Sequence, residues 1–164
     1  MTPDRFWSLI EQARGEAADC TSLADELTEK LATLPPEEIL AFQEQLDARL
    51  AQAYRWDLWA VAYIVNGGCS DDGFEYFRLW MIGEGREYFE AALREPERAA
   101  DRAEPEACEC EDLLYAPTRA YEARTGSTPP PSDRWKRLPS EPAGDPWTEE
   151  DLPRLFPVLN DRFG

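Results

Sequence analysis

The segment from Asn66 to Gly73 reads Asn-Gly-Gly-Cys-Ser-Asp-Asp-Gly, which places a thiol, a hydroxyl and two carboxylates among three glycines. Asp71 and Asp72, with Glu75 nearby, are the hard oxygen donors that Mg²⁺ or Ca²⁺ takes. With Ser70 the same pair could supply a general base and an electrostatic partner for a hydrolysis. A structural reading competes with both. Ser70 or Asp72 can accept hydrogen bonds from the free amides that open the next helix, and Asp72-x-x-Glu75 has capping-box spacing. On that reading no metal or other cofactor is needed.

Cys69 precedes a helix start, where the dipole lowers a thiol pKa, but its acidic neighbours oppose a thiolate. The simpler expectation is a small buried cysteine. Arg78 interrupts the apolar run from Phe74 to Ile82 and needs a partner, because an unpaired buried charge is very costly. Glu75 offers a pair along the helix, and Asp57 offers one across the preceding turn. If neither engages it, the guanidinium is free for an anion. Trp56, Trp59, Tyr63 and Trp80 either line an aromatic ligand pocket or fill the core, and the core is the ordinary fate of such spacing. Cys108-Glu109-Cys110 lies among Glu104, Glu106, Glu111 and Asp112. Read as helix, residues two apart diverge, so a solvated acidic face is expected there and not a metal site.

Other chemistry is excluded outright. The chain has no histidine, so no Ser-His-Asp triad, Cys-His pair or imidazole zinc site can form. GxGxxG, GxxxxGK[ST] and CxxC are all absent.

Helical periodicity dominates the elements that must position these residues. Phe6, Leu9, Ile10 and Ala13 make one stripe, opened by Thr2-Pro3 as cap and first-turn proline. Leu23, Leu27, Leu31 and Leu34 make a second. Glu37-Glu38 start a third, with Ile39, Phe42, Leu46, Leu50 and Ala53. From Trp56 to Val65, and again from Phe74 to Ile82, apolar side chains occur all round the helix, which marks burial on every side. The glycines between them permit a sharp reversal, so an antiparallel aromatic hairpin is expected at the centre. Further helices are expected over about residues 84–94 and 108–124, the second with a kink at Pro117. Nothing alternates with period two. The expected fold is therefore all-α, a single-domain helical bundle over residues 1–124.

Residues 125–164 differ in kind and hold eight of the fourteen prolines. Their Trp135, Leu138, Trp147, Leu152, Leu155, Phe156, Leu159 and Phe163 are too apolar for a free tail. A proline-rich arm packed on the bundle is expected, with a short final helix near Trp147 or Asp151.

The 34 acidic and 17 basic residues give a net charge of −17, which repels phosphate backbones, so no direct nucleic-acid binding is expected. Residues 1–124 carry 27 acidic against 12 basic residues. No apolar run of about 18 residues occurs and the start lacks signal-peptide character, so a cytoplasmic protein with no membrane contact is expected. Four sparse cysteines in such a chain are expected to stay reduced.

The stretch from Trp56 to Leu93 pairs a Trp-rich helix with a Gly-Cys-Ser-Asp-Asp turn and a Phe-Arg helix. It resembles the core signature of an uncharacterised bacterial family, the domain of unknown function 4240. The resemblance extends from about Phe6-Trp7 to Tyr121 and leaves the arm outside. It implies a shared helical fold and brings no activity. From the residues themselves the leading expectation is a protein-binding or regulatory module. The alternatives are a carboxylate-based or divalent-metal-assisted enzyme centred on Ser70, Asp71, Asp72 and Arg78, and an acidic immunity-type or nucleic-acid-mimicking inhibitor.

Overall fold

The computed structural model describes residues 1–164. Its helices are α1 (Pro3–Glu16), α2 (Cys20–Ala32), α3 (Pro36–Gln52), α4 (Trp56–Asn66), α5 (Asp71–Gly83), α6 (Arg86–Arg94), α7 (Asp112–Thr125), α8 (Arg134–Arg137), α9 (Leu152–Leu155) and α10 (Pro157–Phe163). Short 3-10 turns at Pro96–Ala100 and Glu149–Asp151 complete it. There is no sheet, only one isolated parallel bridge between Arg55 and Ala143.

Local chemistry sets the helix ends. Thr2 caps α1 by accepting from the Arg5 amide at 3.2 Å, with Pro3 in the first turn. Asp19 and Ser22 exchange hydrogen bonds in a capping box that opens α2. Gly67 ends α4 in the left-handed conformation at φ 66°, and the Gly67 and Gly68 amides both donate to the Tyr63 carbonyl. That reversal turns the chain into α5.

The three amphipathic stripes are buried as their periodicity requires, and they join one continuous core with α4 and α5. α2 lies along α7, with α1 packed on α2 and α3 on α7. α4 packs on the 3-10 turn at Pro96–Ala100 and on α10, while α5 meets α3 and α6. The two aromatic helices touch where Trp59 stacks on Phe74, with ring centroids 5.1 Å apart and planes 13° apart.

The arm crosses this body through three attachments. Arg134 and Arg137 of α8 both reach Asp47 of α3, at 2.9 and 2.8 Å. At the bridge, the Trp56 amide donates to the Ala143 carbonyl and the Ala143 amide to the Tyr54 carbonyl. That bond gives α4 a partner for its first amide, which has no side-chain cap. The Trp147 indole then donates to the Trp56 carbonyl at 2.6 Å, and Leu152 and Leu159 are buried beyond it. The expected final helix begins at Leu152, continues in α10 and lies on α4.

Two expectations about cysteine fail. Cys20 and Cys110 are joined in a disulfide across 90 residues, not reduced, and Cys69 and Cys108 are free. Sequence spacing cannot report this pairing, because it follows from α2 lying along α7. Helix α7 also begins at Asp112 and not near Cys108. Cys108 and Cys110 are both buried there while Glu104, Glu106, Glu109 and Glu111 are exposed, so the acidic residues are solvated as expected but on irregular chain and not on a helix.

Candidate functional site

Ser70 is the N-cap of α5. Its hydroxyl accepts from the Gly73 amide at 3.1 Å, so the capping role falls to Ser70 and not to Asp72. Asp71 and Asp72 are both exposed; Asp72 forms no ion pair, while Asp71, one residue earlier, reaches across to accept the Tyr54 hydroxyl at 3.0 Å. Glu75 accepts from Arg134 at 2.5 Å. Asp71, Glu75 and Arg78 therefore line one cleft of about 160 Å³, together with Tyr54, Arg134 and the arm residues Leu138, Pro139 and Ser140. Ser70, Asp72 and Cys69 lie outside it. No group of three or more His, Cys, Asp or Glu stands close enough to hold a metal ion.

Arg78 has neither of the carboxylate partners foreseen for it. Asp57 pairs with Arg55 at 2.6 Å, because residues two apart at the start of α4 meet more readily than residues on separate helices. Arg78 instead donates through Nη1 to the Leu50 carbonyl at 2.7 Å and through Nε to the Phe74 carbonyl at 3.3 Å. Leu50 is in the last turn of α3, where carbonyls lack helical amides and the dipole is negative. The guanidinium also lies over the rings of Tyr54 and Phe74, at 4.5 and 4.7 Å from their centroids. Helix end and π faces thus stand in for a counter-ion. Burial still pulls the guanidinium down to about 10, which leaves it charged at neutral pH. Replacing Arg78 with Met is expected to cost about 2–3 kcal/mol, the cost of leaving a buried carbonyl without its donor. Urea unfolding at neutral pH reads this directly, and an unchanged midpoint would mean that the guanidinium does not hold the end of α3.

The aromatic candidates divide into two places. Trp56 stacks on Trp59 at 5.3 Å, and Trp59 stacks in turn on Phe74. Trp147 meets Trp56 and Tyr63 edge-on at 5.9 and 5.4 Å, and the Tyr63 hydroxyl donates to Glu149. These half-buried rings pack on one another and form the seat for the arm. Trp80 lies elsewhere, edge-on to Tyr88 and lining a cavity of about 590 Å³ with Arg14, Glu84, Arg102 and the disulfide.

Burial, followed by the charge of Glu109, pushes the Cys69 thiol up to about 12. Cys69 is therefore a neutral thiol across the physiological range. Iodoacetamide at pH 8 is expected to modify it far more slowly in the folded protein than in urea. Equal rates would show the thiol to be exposed and ionisable.

Residue-type reasoning missed Tyr54, Asp47 and Arg134. One signal was present, since Arg134 and Arg137 three apart share a helix face and call for a common acceptor. Nothing local marks Asp47 as buried: Gln43 donates to it from one turn earlier, but its charged partners lie 87 and 90 residues away.

No curated protein and no solved structure matches this chain. No helix is long and apolar enough to cross a membrane. Residues 1–123 match a family described as Protein of unknown function (DUF4240), and the arm lies beyond the matched segment. Stripes, aromatic helices and Gly-Cys-Ser-Asp-Asp turn all fall within that match, and the chain belongs to this family.

Proposed function

We propose that the chain is a protein-binding module whose partner is anchored on Trp135 of the arm. The observation that carries this reading is the exposure of that one indole. Trp135 is 74% exposed, whereas the other five tryptophans are buried or half-buried. It is held in place, because its neighbour Arg134 is fixed to Asp47 and Glu75 and Arg137 is fixed to Asp47. A rigid, solvent-facing Trp has little conformational freedom to lose, which is why such residues dominate binding energy at interfaces. Beside α8 runs a groove of about 270 Å³ lined by Leu40, Tyr115, Pro129, Pro130 and Arg134. Tyr115 is itself 41% exposed. The net charge of −17 favours a partner that is basic overall, whose cations would meet the acidic body around α8 and not the Arg134, Lys136 and Arg137 that flank the indole.

A photo-reactive phenylalanine analogue in place of Tyr115, which lines the adjoining groove, tests the reading in lysate. One stoichiometric adduct that still forms on irradiation in high salt and is lost when Trp135→Ala is added is the expected result, with the melting temperature of that variant unchanged. Deleting residues 126–164 is a poorer test, because it also strips Trp147, Leu152 and Leu159 from the core. An adduct that no longer forms when irradiation is done in high salt favours an acidic inhibitor of a basic protein, and the absence of any adduct overturns the module.

A further inference from the structure

We propose that the cleft beside Arg78 is a binding site for a small zwitterion, a molecule carrying one carboxylate and one ammonium group in the manner of an α-amino acid. Its carboxylate would sit on Arg78 and its ammonium on Asp71. This site is separate from the Trp135 surface.

The argument begins with what Arg78 leaves unused. The residue is only 6% exposed and its guanidinium is locked by two carbonyls and two aromatic faces. Neither of those hydrogen bonds involves Nη2, which carries two N–H groups. The Asn66 amide is the one buried side-chain group whose polar atoms have no partner. Nη2 is therefore not sealed in the core, and it opens on the cleft that Arg78 lines.

The charges around it complete the case. Arg134 is taken by Asp47 and Glu75, and Arg137 by Asp47. Arg78 forms no ion pair within 4.0 Å, and Asp71 has only the neutral Tyr54 hydroxyl. Tyr54 holds the two apart, with its ring face on the guanidinium and its hydroxyl on the carboxylate. The cleft thus offers one unpaired cation and one unpaired anion. A plain anion would meet the charge of Asp71, and a plain cation would meet Arg78. A ligand with both groups complements both. The volume, about 160 Å³, is that of about five waters at 30 Å³ each, enough for a short amino acid. Leu138 and Pro139 offer an apolar wall for its side chain, and Ser140 a hydroxyl.

Calorimetry and thermal shift on the full chain, with glycine, alanine, acetate and methylammonium at matched ionic strength, test the site. Glycine or alanine is expected to bind and to raise the melting temperature, with acetate and methylammonium at least about tenfold weaker. Asp71 is exposed, so Asp71→Asn leaves the fold intact and is expected to weaken the amino acid about tenfold, the scale of one charged hydrogen bond. Three outcomes overturn the proposal: acetate binding as well as glycine, an affinity unchanged in Asp71→Asn, or no binding by any of the four probes.

Discussion

Cys20→Ser is expected to lower the stability of the folded protein by about 4 kcal/mol, and reduction of the Cys20–Cys110 bond is expected to do the same. The bond closes a loop of 90 residues. On the chain-entropy account a loop of that length restricts the unfolded ensemble by about 4–5 kcal/mol at room temperature. For a chain of this size that corresponds to a fall of about 8–16 °C in melting temperature. Scanning calorimetry with and without reductant is the measurement. Cys20→Ser is the cleaner variant, because in Cys110→Ser the thiol of Cys108, which lines the same cavity, is at hand to replace the lost partner. Reductant is expected to have no further effect on Cys20→Ser. A loss below about 1 kcal/mol would show that the packing of α2 on α7 already fixes the two ends, with the bond adding little.

Asp47→Ala is the second large effect, at about 3 kcal/mol. Asp47 is completely buried, and it accepts from Gln43, Arg134 and Arg137. Removing the carboxylate strands two guanidiniums at the surface of α3, where breaking a buried pair costs about 3–5 kcal/mol. Both arginines can swing into water, which places the cost at the lower end. The structural result is release of α8. Trypsin is expected to cut after Arg134, Lys136 and Arg137 much faster in the variant than in the parent protein. Asp47→Asn keeps the shape and one acceptor and should fall between the two. Equal proteolysis of all three proteins would show that the arm is held by Trp147 and the bridge to Arg55 alone.

The body was legible because its signals are local. Phe6, Leu23 and Phe42 each belong to a stripe whose period declares a helix, and Thr2, Ser70 and Gly67 mark ends within a residue or two of themselves. The all-round apolar character of Trp56–Val65 correctly placed α4 inside the core. The site was legible only in part. Asp71, Glu75 and Arg78 do converge, and Asp72 faces away because adjacent helix residues diverge by about 100°. Arg78 was assigned a carboxylate, whereas its partners are the end of α3 and two aromatic faces, which no charge-pairing rule counts. Asp47 drew no reading from the sequence, because nothing in α3 itself announces that it is buried. What buries it is a segment that arrives after a run of prolines, and no windowed pattern spans that distance. The disulfide was missed for the same reason, since α2 and α7 meet only in three dimensions.

The Ala143 carbonyl that receives the first amide of α4 has a consequence for how the protein is made. Synthesis proceeds from the N-terminus, so the ribosome releases the whole bundle well before residue 143 emerges. Until then the opening turn of α4 is unfinished, and the indole of Trp56 and the ring of Tyr63 have no Trp147 beside them. The nascent chain passes through an interval in which this aromatic surface is uncovered, and the emergence of residues 143–147 closes it.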